Sequence, residues 1–137
     1  MERTLAIIKP DAVEKESIGK IINRIESEKF KIVGMKMVKI TEDKAEKFYW
    51  VHHQKPFFRS LVKFISSGEI VVLVLERENA INHWREVMGD TDPATAKIGT
   101  IRKEIGSSIE RNAVHGSDSL ETAKEEIDFF FNELEVF

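Results

Sequence analysis

The run Ile70-Val71-Val72-Leu73-Val74-Leu75 constrains the fold most, because its six residues are all apolar and four are β-branched. It is too short for a capped helix and has no polar alternation, so it reads as a central strand buried on both faces. Such a strand needs neighbours on both edges and a layer on each face. Leu5 to Lys9 forms a second short buried strand, stopped by Pro10, which has no N–H to give to a ladder. Ile18, Ile21, Ile22 and Ile25 share one helical stripe. Phe30 to Ile40 returns to strand composition, with Gly34 marking a bulge.

Thr41 is placed to N-cap a helix carrying Ala45, Phe48 and Tyr49 on one side. A second helix after Pro56 carries Phe57, Phe58, Leu61, Val62 and Ile65, with Phe58 expected inside and Phe57 exposed. Ile81, Trp84 and Met88 mark another short helix. From Gly89 to about Arg111 the periodicity fades into a long loop. A brief strand at Asn112 to Val114 follows, then a helix with Leu120, Ala123, Ile127, Phe130 and Leu134 inward. No repeat or linker interrupts the order, so residues 1–137 read as one domain.

Strands alternate with helices, and hairpin turns such as Asn-Gly are missing. An α/β (α+β) sandwich follows, with helices covering a small four-stranded antiparallel sheet. The ferredoxin-like split βαβ arrangement is the natural candidate, although periodicity leaves the pairing order open.

The charge balance narrows the functions. With 24 acidic and 21 basic side chains the net charge is −3, so an anion must be held by a local basic cluster. That disfavours dedicated nucleic-acid binding and attraction to anionic membranes. The absence of cysteine excludes disulfides, thiolate metal sites and cysteine nucleophiles. No apolar run reaches signal-peptide or membrane-spanning length, and a soluble cytoplasmic protein is expected.

The chemistry concentrates in Asn112-Ala113-Val114-His115-Gly116-Ser117-Asp118-Ser119. Taken alone, His115 reads as a half-buried histidine at a strand end. Gly116 would let the backbone turn and leave space beside the imidazole. Asp118 or Ser119 would cap the final helix, with Glu121 three residues after Asp118 as a capping-box partner. A neutral imidazole has one lone pair free for attack, provided its other nitrogen is held in one tautomer. Glu126, about two turns into the last helix, is placed to reach back to it.

This segment resembles the signature of the nucleoside diphosphate kinase family. Further matches fall in order: Ile8-Lys9-Pro10-Asp11, Tyr49 with Pro56-Phe57-Phe58, Gly89-Asp90-Thr91-Asp92-Pro93-Ala94, and Gly99-Thr100-Ile101-Arg102. The resemblance implies that His115 carries a phosphoryl group as a phosphohistidine between nucleoside triphosphate and diphosphate in a ping-pong cycle. Glu126 would orient His115, with Ser117 assisting through a hydrogen bond. Lys9, a mobile point charge, would join Tyr49, Arg85, Thr91, Arg102 and Asn112 around the phosphates and sugar. Phe57 would stack on the base, and Leu61 and Ile109 would complete the nucleotide pocket. Mg²⁺ would arrive on the phosphates, touching Asp118 at most through water. Relatives assemble as hexamers or tetramers from a shared dimer; C-terminal contacts that help join subunits in the family are shortened here, and the Gly89–Arg111 loop favours a hexamer over a tetramer.

Other readings fall away. His52-His53 point about 100° apart on a helix and lack a carboxylate at ligand spacing, so they make no metal site. Trp50 and Trp84 read as packing residues. Gly19-Lys20 lacks the rest of a phosphate-binding loop, and no protein-kinase catalytic loop occurs. A catalytically silent relative would not need His115, Glu126 and Lys9 together.

Overall fold

The computed structural model describes residues Met1–Phe137. Its sheet has four strands: β1 (Glu2–Ile8), β2 (Lys31–Val38), β3 (Ile70–Arg77) and β4 (Val114–Gly116), in the order β2-β3-β1-β4. Every pairing is antiparallel. This is the ferredoxin-like order that the alternation of elements left open. The apolar run sits within β3, next to the centre, and every residue from Ile70 to Leu75 is buried.

Period-two alternation then sends its side chains into two cores. Val71, Leu73 and Leu75 meet Ile21 and Ile25 of α2 (Ile18–Ser27) and Trp84 of α5 (Ala80–Met88). Ile70, Val72 and Val74 meet the opposite layer. That layer comprises α3 (Glu42–Phe48), α4 (Phe58–Ile65) and α7 (Leu120–Phe130), and contributes Ala45, Phe58, Val62 and Phe130. The bulge expected at Gly34 is present as a register shift between Ile32 and Gly34. A Cβ on Gly34 would lie 3.2 Å from both the Phe131 ring and the Glu135 carbonyl, so glycine permits the chain to pack there. No helix is long and apolar enough to cross a membrane.

Several local expectations are corrected. Pro10 ends the first strand, but it also opens a one-turn helix, α1 (Pro10–Glu14), as its fixed φ at a first helical position allows. The long loop before β4 is present but contains α6 (Ile101–Ile105), capped by the Thr100 hydroxyl. The final strand is shifted two residues, so His115 lies in its middle instead of beyond its end. Ser119, with Thr122 as its reciprocal partner, caps α7; the Asp118–Glu121 alternative is not used. Leu120 and Leu134 face solvent: Leu120 opens α7, and Leu134 lies in a 3₁₀ turn beyond that helix, outside its inward stripe.

Candidate active site

His115 is paired opposite Ile7 of β1, and its side chain faces the layer containing α3 and α7. Its Nε2 lies 3.0 Å from Glu126 Oε1 on α7. The Ser117 hydroxyl donates to that same oxygen at 2.7 Å and accepts from the Leu5 N–H at 3.1 Å. The β1 backbone thus fixes Ser117, Ser117 fixes Glu126, and Glu126 fixes the imidazole. A carboxylate acceptor selects the tautomer with the proton on Nε2, which leaves the Nδ1 lone pair free. The edge of Phe48 packs against the ring, with centroids 5.5 Å apart. The helical stripe placed Phe48 inside but gave no sign that its neighbour is the histidine.

Beyond Lys9 the segment before His115 is tightly bonded. The Lys9 N–H donates to the Ala113 carbonyl, and the buried Asp11 carboxylate accepts from the Ala113 N–H at 3.0 Å. Ala113 has φ of 76°, a left-handed conformation that costs a non-glycine residue about 1–2 kcal/mol. Asp11 therefore helps hold a strained turn, a role that its place in Lys9-Pro10-Asp11 does not announce. Lys9 is only 6% exposed, and its ammonium donates to Asn112 Oδ1 at 2.8 Å, so it is anchored and not mobile. Asn112 in turn donates to the Thr91 carbonyl at 3.0 Å.

Arg102, also buried, donates to the carbonyls of Gly89 at 3.0 Å and Val114 at 2.8 Å. Its Nε is buried without a partner in the chain. Burial, then the Arg102 charge, pulls Lys9 down to about 8, against the raising influence of Asp11 and Glu110. Burial, then Arg85, lowers Arg102 to about 10, so it remains cationic at neutral pH. Buried Tyr49 is pushed upward, chiefly by burial and then by Glu126 and Glu110, and stays a neutral hydroxyl. Arg85 is half-exposed on α5 and ion-paired with Asp118 just beyond β4.

The aromatic end differs. Phe58 is buried under α4, whereas Phe57 is 47% exposed beside His52. Leu61 is half-buried on α4, and Ile109 is exposed on the loop before β4. Ser60 Oγ and Glu110 bond at 2.6 Å and tie that loop to α4. Trp50, expected to pack, is largely exposed and stacks on His53 at 4.1 Å.

Hydrogen bonds join Lys9, Asn112 and Thr91, and separately His115, Glu126 and Ser117; Arg102 bonds the carbonyl beside His115. No three histidine or carboxylate side chains converge as a metal cage. Asp118, exposed and paired to Arg85, offers a single carboxylate, which suits an ion carried on a ligand's phosphates better than one held by protein alone.

Comparison with known proteins agrees with this architecture. The model of the family described as nucleoside diphosphate kinase matches residues 2–136. A protein of that name from Geobacter sulfurreducens is 60% identical over 136 residues, covering 99% of each chain. The solved nucleoside diphosphate kinase of Aquifex aeolicus superposes with a TM-score of 0.97 at 47% identity, covering 99% of both chains. That of Halobacterium salinarum, solved in complex with CDP, gives 0.96 at 40% identity, covering 99% of this chain and 91% of its own. The chain belongs to the nucleoside diphosphate kinase family, and so to the phosphotransferases.

Proposed function

We propose that this protein moves the terminal phosphoryl group of a nucleoside triphosphate to a nucleoside diphosphate through a phosphohistidine on Nδ1 of His115. The observation that carries this reading is the Glu126 contact with Nε2, which leaves Nδ1 as the nucleophilic atom. Nδ1 attacks the γ-phosphorus, and an N–P bond forms. The bond from that phosphorus to the bridging oxygen breaks, and the diphosphate leaves with the electron pair. A second diphosphate then attacks through a terminal oxygen, the N–P bond breaks, and the imidazole recovers its lone pair.

Phosphoryl transfer depends mainly on positioning and on stabilising charge around the equatorial oxygens. Lys9, Arg102 and Arg85 supply that charge, while Thr91 and Tyr49 add neutral donors. Asn112 serves a sugar hydroxyl or phosphate. Phe57 is the shelf for the base, flanked by Leu61 and Ile109, and stacking on it accepts any base. Asp118 would reach a nucleotide-borne Mg²⁺ through water, and that ion would supply neutralisation of phosphate charge. The exposed Ile98, in the loop before β4, supports a homo-oligomer, a hexamer in preference to a tetramer, which sedimentation would test. The cellular role is balancing cytoplasmic nucleoside triphosphates.

Incubation with γ-labelled ATP followed by denaturation tests the mechanism. The wild type should retain an acid-labile, base-stable label, and His115→Ala should retain none. Equal labelling of His115→Ala would overturn the reading.

A further inference from the structure

The face of β4 opposite the imidazole is occupied by Trp84 and Met88 of α5. Trp84 of α5 is fully buried, and its indole N–H donates to the His115 carbonyl at 3.1 Å. The indole also fills the space that a Cβ on Gly116 would need. Such an atom would lie 2.5 Å from Trp84 Cδ1, 2.9 Å from its Nε1, and 2.7 Å from Met88 Cε. Gly116 therefore serves a close approach by α5. It was expected to make a sharp turn, but it lies within the strand and is absent from the positive-φ residues.

β4 is only three residues long and lies at the sheet edge, with β1 as its one strand neighbour. Backbone bonds to the β1 side, continued by the Lys9 N–H to the Ala113 carbonyl and the Ser117 N–H to the Leu5 carbonyl, hold this segment from one edge only. Trp84 is itself held by the edge-on ring of Phe30, with centroids 5.9 Å apart.

We infer that Trp84 is a positioning residue for the nucleophile: its N–H fixes the His115 peptide plane and thereby aims Nδ1 along the line of attack. Glu126 sets the rotation of the imidazole from one face of the sheet, and Trp84 sets the backbone that carries it from the other. Neither contact touches the nucleotide. Loss of the indole N–H should slow attack without weakening nucleotide binding. This inference rests on His115 being the phosphoryl carrier.

The test is single-turnover labelling of His115 by γ-labelled ATP in Trp84→Phe, alongside ADP affinity and steady-state kinetics. Loss of one neutral hydrogen bond predicts a labelling rate about three- to tenfold lower, with kcat falling in proportion and ADP affinity within about twofold. An unchanged labelling rate would overturn the role, even if thermal stability drops. If Trp84→Phe fails to fold, site-specific replacement of Trp84 by its benzothiophene analogue keeps the shape and removes only the N–H. The same rate criterion then decides. A His115→Ala control separates the two claims. Label in that control defeats the phosphohistidine reading itself, whereas normal labelling of the Trp84 variant with a blank control defeats only the positioning role.

Discussion

The polar and aromatic ends of the candidate site are built in opposite ways. At the polar end Lys9, Arg102 and Asn112 are nearly inaccessible, and each is bonded to the chain before any ligand arrives. At the aromatic end Phe57 and Ile109 stand in solvent, with the loop before β4 tied to α4 by the exposed Ser60–Glu110 hydrogen bond and by Arg111 over the Phe64 ring. Buried cations cost desolvation energy, but they need no reorganisation when a transition state develops charge. An exposed ring costs little and demands little of the base. The division suits a ligand whose phosphates are constant and whose base varies.

Breaking the polar end should have the largest effect. Lys9→Met keeps length and apolar bulk while removing the charge, and should lower kcat/KM by about 10²–10³, the range for losing one preorganised donor. Stopped-flow turnover with ATP and a diphosphate acceptor would measure this. A loss below tenfold would mean that Arg102 and Arg85 carry the charge alone.

Phe57→Ala should act differently, weakening binding by about 1–3 kcal/mol for every base alike and leaving kcat at saturation close to wild type. Calorimetric titration with ADP, GDP, CDP and UDP would check the uniformity. A penalty confined to one base would assign specificity, not general stacking, to this end.

The smallest expected effect sharpens the contrast by pH. Because Lys9 lies near 8 in the free protein, it loses its charge as pH rises through that value, while Arg102, near 10, keeps its own. A log plot of kcat/KM should therefore bend downward above about pH 8, since that parameter reports the free enzyme's groups. In Lys9→Arg the bend should disappear. A bend that persists in Lys9→Arg belongs to another group.

The layers of the fold were legible because their signals are periodic. Ile18, Ile21, Ile22 and Ile25 lie along the sheet, Ile70–Leu75 is central, and Phe57 and Phe58 divide between solvent and core as their spacing suggested. The one-turn helices α1 and α6 were missed because five residues are too few for a helical period to repeat. In the site, Glu126 could be placed from the helical rise alone, since only the cap and about two turns of α7 separate it from His115. Contacts across the chain had no such guide. Asp11 with Ala113, Phe48 with His115 and Trp84 with Gly116 join residues brought together only by the completed sheet and its packed helices. Trp50 misled because an aromatic side chain suits both packing and surface stacking.

The left-handed Ala113 also changes what a spacing in this chain means. Side chains along a strand alternate, so two residues an odd number apart belong to opposite faces. Asn112 and His115 are separated by such an odd interval. Yet Asn112 bonds Lys9, which lies two residues beyond Ile7, the partner of His115, and so shares its face. The reversal at Ala113 switches the parity of the segment, bringing an amide and an imidazole to one side of the sheet. A one-residue insertion or deletion here would exchange inside for outside, so this interval belongs to the active-site grammar as much as the residues at its ends.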